Sequence, residues 1–177
     1  MPVKKNIVAI CGSTRRQSSN FFLIRAIEEL GKDFFDLRLF DLIGELPQFN
    51  PDMDNESPPI LVADFRKLLH EADGILICTP EYAMGVPGSL KNAIDWTVSS
   101  MEFSQKPTAL ITASLSGVKA HASLMETLLV IEAKIPDETQ LIISFIKTKV
   151  NEAGVITDEK TKAGVQKLLE AFYRLMV

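Results

Sequence analysis

Five short apolar runs, each followed by a stretch with helical spacing, constrain this chain more than any other feature of its sequence. The runs are IVAIC (7–11), FFDLRLF (34–40), GILICT (74–79), TALITAS (108–114) and QLIISF (140–145). Four of them are nearly continuously apolar, as strands of a parallel sheet covered by helices on both faces should be. FFDLRLF differs, because Asp36 and Arg38 alternate with apolar residues, and it reads as an edge strand. Between the runs, Phe22, Ala26, Ile27 and Leu30 share a helical face, with Ser19 or Asn20 as the N-cap and Gly31 as a stop. Ser57 before two prolines starts a second helix striped by Leu61, Phe65, Leu68 and Leu69. Pro87 opens a third, with Leu90, Ala93, Ile94 and Val98 on one face and Lys91 paired to Asp95. Residues 119–132 and 158–176 supply the fourth and fifth. Such alternation predicts an α/β fold with a parallel sheet and right-handed crossovers. Ligands of such folds sit at the carboxyl ends of the strands, near a topological switch point.

A length of 177 residues with 46% hydrophobic content suits one domain spanning 1–177. The net charge of −4 argues against nucleic acid and anionic membranes, since both require a basic face. No window approaches the roughly 18 apolar residues of a spanning helix, and MPVKKN carries no signal-peptide pattern. A cytoplasmic protein is expected. Cys11 and Cys78 offer neither a disulfide framework nor metal-ligand spacing. They read as small buried hydrophobes, with a redox or substrate-facing role as the alternative.

CGSTRRQSSN (11–20) joins the first strand to the first helix and crowds hydroxyls and two arginines into one turn. Free N–H groups and the positive end of the helix dipole point into such a loop. Ser13, Thr14, Ser18 and Ser19 add hydroxyl donors, and Arg15 or Arg16 adds a charge that can fork onto phosphate. A single glycine, Gly12, excludes the dinucleotide fingerprint and the Walker A loop. The pattern points to a phosphomonoester, with plain N-capping as the alternative. A second segment, TPEYAMGVPGSLKNAIDW (79–96), places two prolines, two glycines and Tyr82 where a central strand ends, a loop whose backbone can face a flat ring.

Together GSTRRQSSN and TPEYAMGVPGSLKNAIDW resemble the two signature segments of the NADPH-dependent FMN reductase family, flavodoxin-like enzymes that include quinone, azo-dye and chromate reductases. EADGILICTPEY and KPTALITASLSG keep the family's spacing. The resemblance implies a three-layer sandwich whose five-stranded parallel sheet has the order 2-1-3-4-5. It also implies an FMN-dependent NAD(P)H oxidoreductase that carries hydride from NADPH or NADH to flavin and on to a quinone, free flavin, azo compound or similar small acceptor. Ser13, Arg15, Ser18, Ser19 and Asn20 would hold the FMN phosphate. Pro80, Glu81, Tyr82, Ala83 and Met84 would run along the isoalloxazine, and Ser114 and Gly117 would close the third side. No side chain is required as acid or base, because the flavin carries the chemistry. Loops 42–58, 80–88 and 115–121 would form the acceptor pocket, and a homodimer or homotetramer is implied. The chain departs from the family at Ala83, where asparagine is frequent, and at Gln17, where glycine is common. The alternatives are a flavodoxin-like electron carrier, which calls for a strongly acidic face, and a flavin-binding protein without turnover.

The long acidic, proline-rich loop 41–59 reads as functional or as a surface insertion. His70 reads as a helix C-terminal cation, and His121 as core or substrate contact. Trp96 reads as core or subunit interface. Asp52, Asp54 and Glu56 read as a solvated face rather than a metal site. No order of residues argues for a Ser-His-Asp or Cys-His site.

Overall fold

In the computed structural model, which describes residues 3–177, the five apolar runs pair into one fully parallel sheet of order β2-β1-β3-β4-β5. The strands are β1 (Lys5–Cys11), β2 (Phe35–Phe40), β3 (Gly74–Thr79), β4 (Thr108–Ser114) and β5 (Gln140–Ser144). The helices are α1 (Ser19–Gly31), α2 (Ile60–Glu71), α3 (Gly88–Asp95), α4 (Val118–Val130) and α5 (Glu159–Arg174). This is the flavodoxin-like order, whose direction of winding reverses between β1 and β3. Alternate residues of each central strand feed two cores. Ile7, Ala9 and Cys11 pack with Leu23, Ile27, Leu168 and Phe172 under α1 and α5. Val8 and Ile10 face Phe65, Leu90, Ile94 and Leu128 under α2, α3 and α4. Each such large side chain contributes about 1.5–3 kcal/mol on full burial.

Several local expectations are corrected. β2 is an edge strand as its alternation requires, but β5 is the other edge, and Ile142 is exposed despite its apolar run. The N-cap of α1 is Ser18, whose Oγ accepts from the Asn20 N–H at 3.2 Å. Gly31 is the last helical residue rather than a left-handed stop; it is glycine for space, since a Cβ there would lie 2.8 Å from the Phe35 ring. Ser57 caps nothing in α2, whose N-cap is Pro59. Val98 falls beyond the end of α3 and is exposed, while Trp96 is fully buried.

The 41–59 segment is a packed strap. Pro47 accepts hydrogen bonds from Trp96 Nε1 at 2.8 Å and Asn92 Nδ2 at 3.0 Å, and Asn92 Oδ1 accepts from the Phe49 N–H at 2.7 Å. Trp96 therefore belongs to the core. Asp54 is no solvated acid, because its carboxylate meets the Arg66 guanidinium at 2.6 Å with both side chains largely covered. That hydrogen bond lowers the Asp54 pKa. The contact stabilises the fold at neutral pH, and its contribution is lost as acid carries Asp54 through that lowered value. Among the described residues no group of side chains could hold a metal ion, and no helix is long and apolar enough to cross a membrane.

Candidate active site

At the carboxyl ends of the strands, beside the switch point, lies a cleft of about 420 Å³. Ser18, Ser19 and Asn20 at the start of α1 form one wall, with Arg15 and Gln17 from the loop before them. Pro80 and Tyr82 follow β3, Ser114 ends β4 and Leu115 follows it. Phe145, Lys147 and Thr148 close the far side.

The β1–α1 loop is held so that its donors stay free. Gly12 continues the ladder, its N–H donating to the Cys78 carbonyl at 2.8 Å. Ser13 is buried, and its Oγ accepts from the Arg15 N–H at 3.3 Å and lies 3.4 Å from the Tyr82 hydroxyl. Among the described residues the N–H groups of 16–19 have no partner in the fold. Four free donors at and just before a helix N-terminus, two serine hydroxyls and the exposed Arg15 give this end of the cleft the chemistry that suits an anion.

Asn20 lines the cleft and also braces the fold around it. Its Nδ2 donates to the Ala113 carbonyl at 2.9 Å, and its Oδ1 accepts from the Cys78 thiol at 3.3 Å. The side chain bolts α1 to β3 and β4, using one of its two amide hydrogens and its oxygen. The two cysteines are inert. Burial pushes Cys11 up to about 11 and Cys78 well above its ordinary value, so both remain thiols.

The β3–α3 loop carries a two-residue hairpin. Tyr82 and Gly85 exchange both backbone hydrogen bonds at 2.9 Å, and Ala83 and Met84 at its tip have φ of 48° and 64°. Both values are left-handed, as a type I′ turn demands, and such turns prefer Asn-Gly. Ala83 and Met84 are exposed at the tip and do not line the cleft. The departure at position 83 therefore bears on backbone strain. Asparagine tolerates this conformation better, so Ala83→Asn should recover part of the roughly 1–2 kcal/mol that left-handed backbone costs an ordinary residue, read as a higher midpoint of thermal unfolding.

The Glu81 carboxylate turns away from the cleft. Its Oε2 accepts from the Lys119 and Ala120 N–H groups, both at 2.9 Å, and so caps α4 from another loop. The local N-cap residue, Gly117, has no side chain to do this, and sits at φ 93° where a Cβ would approach Thr112 Cγ2 at 3.1 Å. Ser114 Oγ donates to the Glu81 carbonyl at 3.4 Å. Glu81 thus ties the loops after β3 and β4 together. Glu81→Ala should cost about 1–2 kcal/mol, the loss of a helix cap, and speed amide exchange in the first turn of α4.

His121 faces the core: its Nδ1 lies 2.9 Å from Thr112 Oγ1 and its Nε2 3.4 Å from Gln140 Oε1. Burial lowers its pKa, which keeps the imidazole neutral. His70 lies in the last turn of α2 as expected. Sequence reasoning missed Phe145–Thr148, because QLIISF reads as strand through its last residue. Instead β5 stops at Ser144, and Phe145 turns left-handed at φ 56° and ψ 39°. A bulky residue is the least expected occupant of that conformation, so no turn residue marked the bend. The 42–58 loop does not line this cleft.

Comparison with known proteins agrees with this geometry. The chain is 30% identical over 175 residues to a quinone reductase of Pseudomonas putida, covering 94% of this chain and 92% of that one. It is 31% identical over 183 residues to an NAD(P)H:quinone oxidoreductase of Solanum tuberosum, covering 98% and 93%. Among solved structures, FerB, a flavoenzyme NAD(P)H:(acceptor) oxidoreductase from Paracoccus denitrificans, superimposes with a TM-score of 0.87 at 29% identity, covering 97% of each chain. A family model matches residues 5–148, and with the parallel 2-1-3-4-5 sheet and the cleft at its switch point it places the chain in the NADPH-dependent FMN reductase family.

Proposed function

We propose that the 420 Å³ cleft binds FMN and that the protein uses it to oxidise NAD(P)H and reduce quinones or similar small acceptors. The class of reaction, NAD(P)H-dependent flavin oxidoreduction, follows from the family. The observation that carries the site assignment is its polarity. One end offers the unpartnered N–H groups of 16–19, Ser18, Ser19 and Arg15 to a phosphate, and the other offers the apolar and aromatic surfaces of Tyr82, Leu115 and Phe145 to a flat ring. FMN is a ligand of that shape.

Bound there, FMN supplies a centre that takes two electrons from nicotinamide and gives them to an acceptor. The chain supplies position. Arg15 and the α1 N-terminus hold the phosphate, Pro80 and Tyr82 border the ring, and the Ser114 hydroxyl lies at the third side. Ser13, Asn20, Glu81 and Gly117 fix the loops, while Ala83 and Met84 set the hairpin that carries Tyr82. The acceptor pocket is the space between the 80–88 and 115–121 loops. A cytoplasmic location is supported by two free thiols, and a homodimer or homotetramer by the exposed Val98 and Met101 after α3.

The test is to record the visible spectrum of the purified protein and to follow NADPH and NADH oxidation with FMN and a benzoquinone. Flavin absorbance after reconstitution and parallel initial-rate lines are the expected results. Tight flavin binding with negligible NAD(P)H oxidation would instead identify an electron carrier.

A further inference from the structure

A second cleft, of about 410 Å³, lies on the other side of the β1–α1 loop. Ser13 and Arg15 border it, and Arg15 alone is shared with the first. Its remaining polar groups are Arg16, Arg25, Thr14, Asp41 and Glu45, with Phe21 on one wall. Neither the hairpin at 82–85 nor the Ser114 turn reaches it, so it lacks the walls of the flavin cleft.

Its charge is unusual for this chain. Net charge is −4, yet three guanidiniums meet here against two carboxylates. Among the described residues no carboxylate closes an ion pair on Arg16 or Arg25. Arg25 is also held in place. It follows Phe21 by one helical turn, and its guanidinium lies over that ring, 4.9 Å from the centroid. A guanidinium fixed on one face by an aromatic ring can stack a flat base on its other face, and a neighbouring one can fork onto a phosphate. Asp41 and Glu45 can accept from an exocyclic amine or a ribose hydroxyl.

The geometry points to this cleft as the seat of the 2′-phosphoadenosine end of NADPH, with Arg16 and Arg25 as the residues that favour NADPH over NADH. The two nucleotides differ only in that phosphate, which is the group this cleft is charged to take. The inference rests on the flavin reading for the position of the nicotinamide, since the two clefts flank one loop and meet at Arg15.

The experiment has two arms. In the first, the flavin-free protein is titrated calorimetrically with adenosine 2′,5′-bisphosphate and with 5′-AMP. The bisphosphate should bind at least tenfold more tightly, and Arg16→Ala/Arg25→Ala should abolish the difference. Equal affinities in the unaltered protein overturn the inference, whatever becomes of the flavin site. In the second arm, the FMN-loaded enzyme is assayed with both nucleotides. The ratio of kcat/KM for NADPH to that for NADH should exceed ten and fall at least tenfold in the double variant, and Arg25→Ala alone, outside the flavin cleft, should lower the ratio with FMN affinity unchanged. An unchanged ratio overturns the inference. So does a loss of FMN affinity in Arg25→Ala, which would give the cleft to the flavin phosphate. If the flavin reading itself fails, neither nucleotide is oxidised even by the unaltered protein, and the calorimetric arm alone decides.

Discussion

Arg15→Ala weakens FMN by roughly 1.5–3 kcal/mol, the range for a hydrogen bond to a charged group, and leaves riboflavin binding unchanged. The reason is local. Arg15 lies in the cleft beside the free N–H groups of 16–19 and beside Ser18 and Ser19. Among the described residues no carboxylate competes for it. Riboflavin has the ring and ribityl chain of FMN without the phosphate, so the two ligands separate a contact with the anion from a general disturbance of the cleft. Fluorescence quenching titrations with both ligands make the measurement. Equal weakening of the two would remove Arg15 from the phosphate site. Arg15→Lys should recover only part of the affinity, since an ammonium carries the charge without the planar fork.

Gly12→Ala destabilises the fold by about 3 kcal/mol, at the upper end for an overpacked core position. An added Cβ would lie 2.7 Å from Thr79 Cβ and 3.1 Å from Thr79 Cα. Thr79 is fully buried at the end of β3, so it has nowhere to move. Relief requires the ends of β1 and β3 to part, which breaks the Gly12 N–H to Cys78 carbonyl bond and shifts the loop that begins there. The midpoint of thermal unfolding should therefore fall by several degrees, by the usual scaling for a chain of this size, and FMN affinity should fall with it. Thr79→Gly on the same background removes the obstructing side chain and should restore part of both. An unchanged midpoint in Gly12→Ala would show that the strand ends separate freely.

The fold was legible because hydrophobic periodicity is a local record of burial. GILICT and TALITAS match β3 and β4 residue for residue, and the alternation in FFDLRLF marked an edge. The free donors of the β1–α1 loop were legible too, since a serine-rich turn between strand and helix exposes donors wherever it folds. The two signature segments added the strand order and the flavin through their resemblance to a family.

The division of labour within the site was decided only in three dimensions. Asn20 read as a phosphate ligand, and the structure adds a bracing role, its amide meeting Ala113 and Cys78, each more than fifty positions away in sequence. Glu81 was expected to face the ring through its backbone, and nothing in the sequence said where its carboxylate would go: it caps the start of α4, where Gly117 has no side chain to serve. Phe145 joined the cleft through a left-handed turn that no glycine or asparagine announced. By itself the sequence determined which segments are buried and where donors cluster, because those depend on neighbours along the chain. Which donor remains free for a ligand depends on what distant segments bring within hydrogen-bonding reach, and only the tertiary structure decides that.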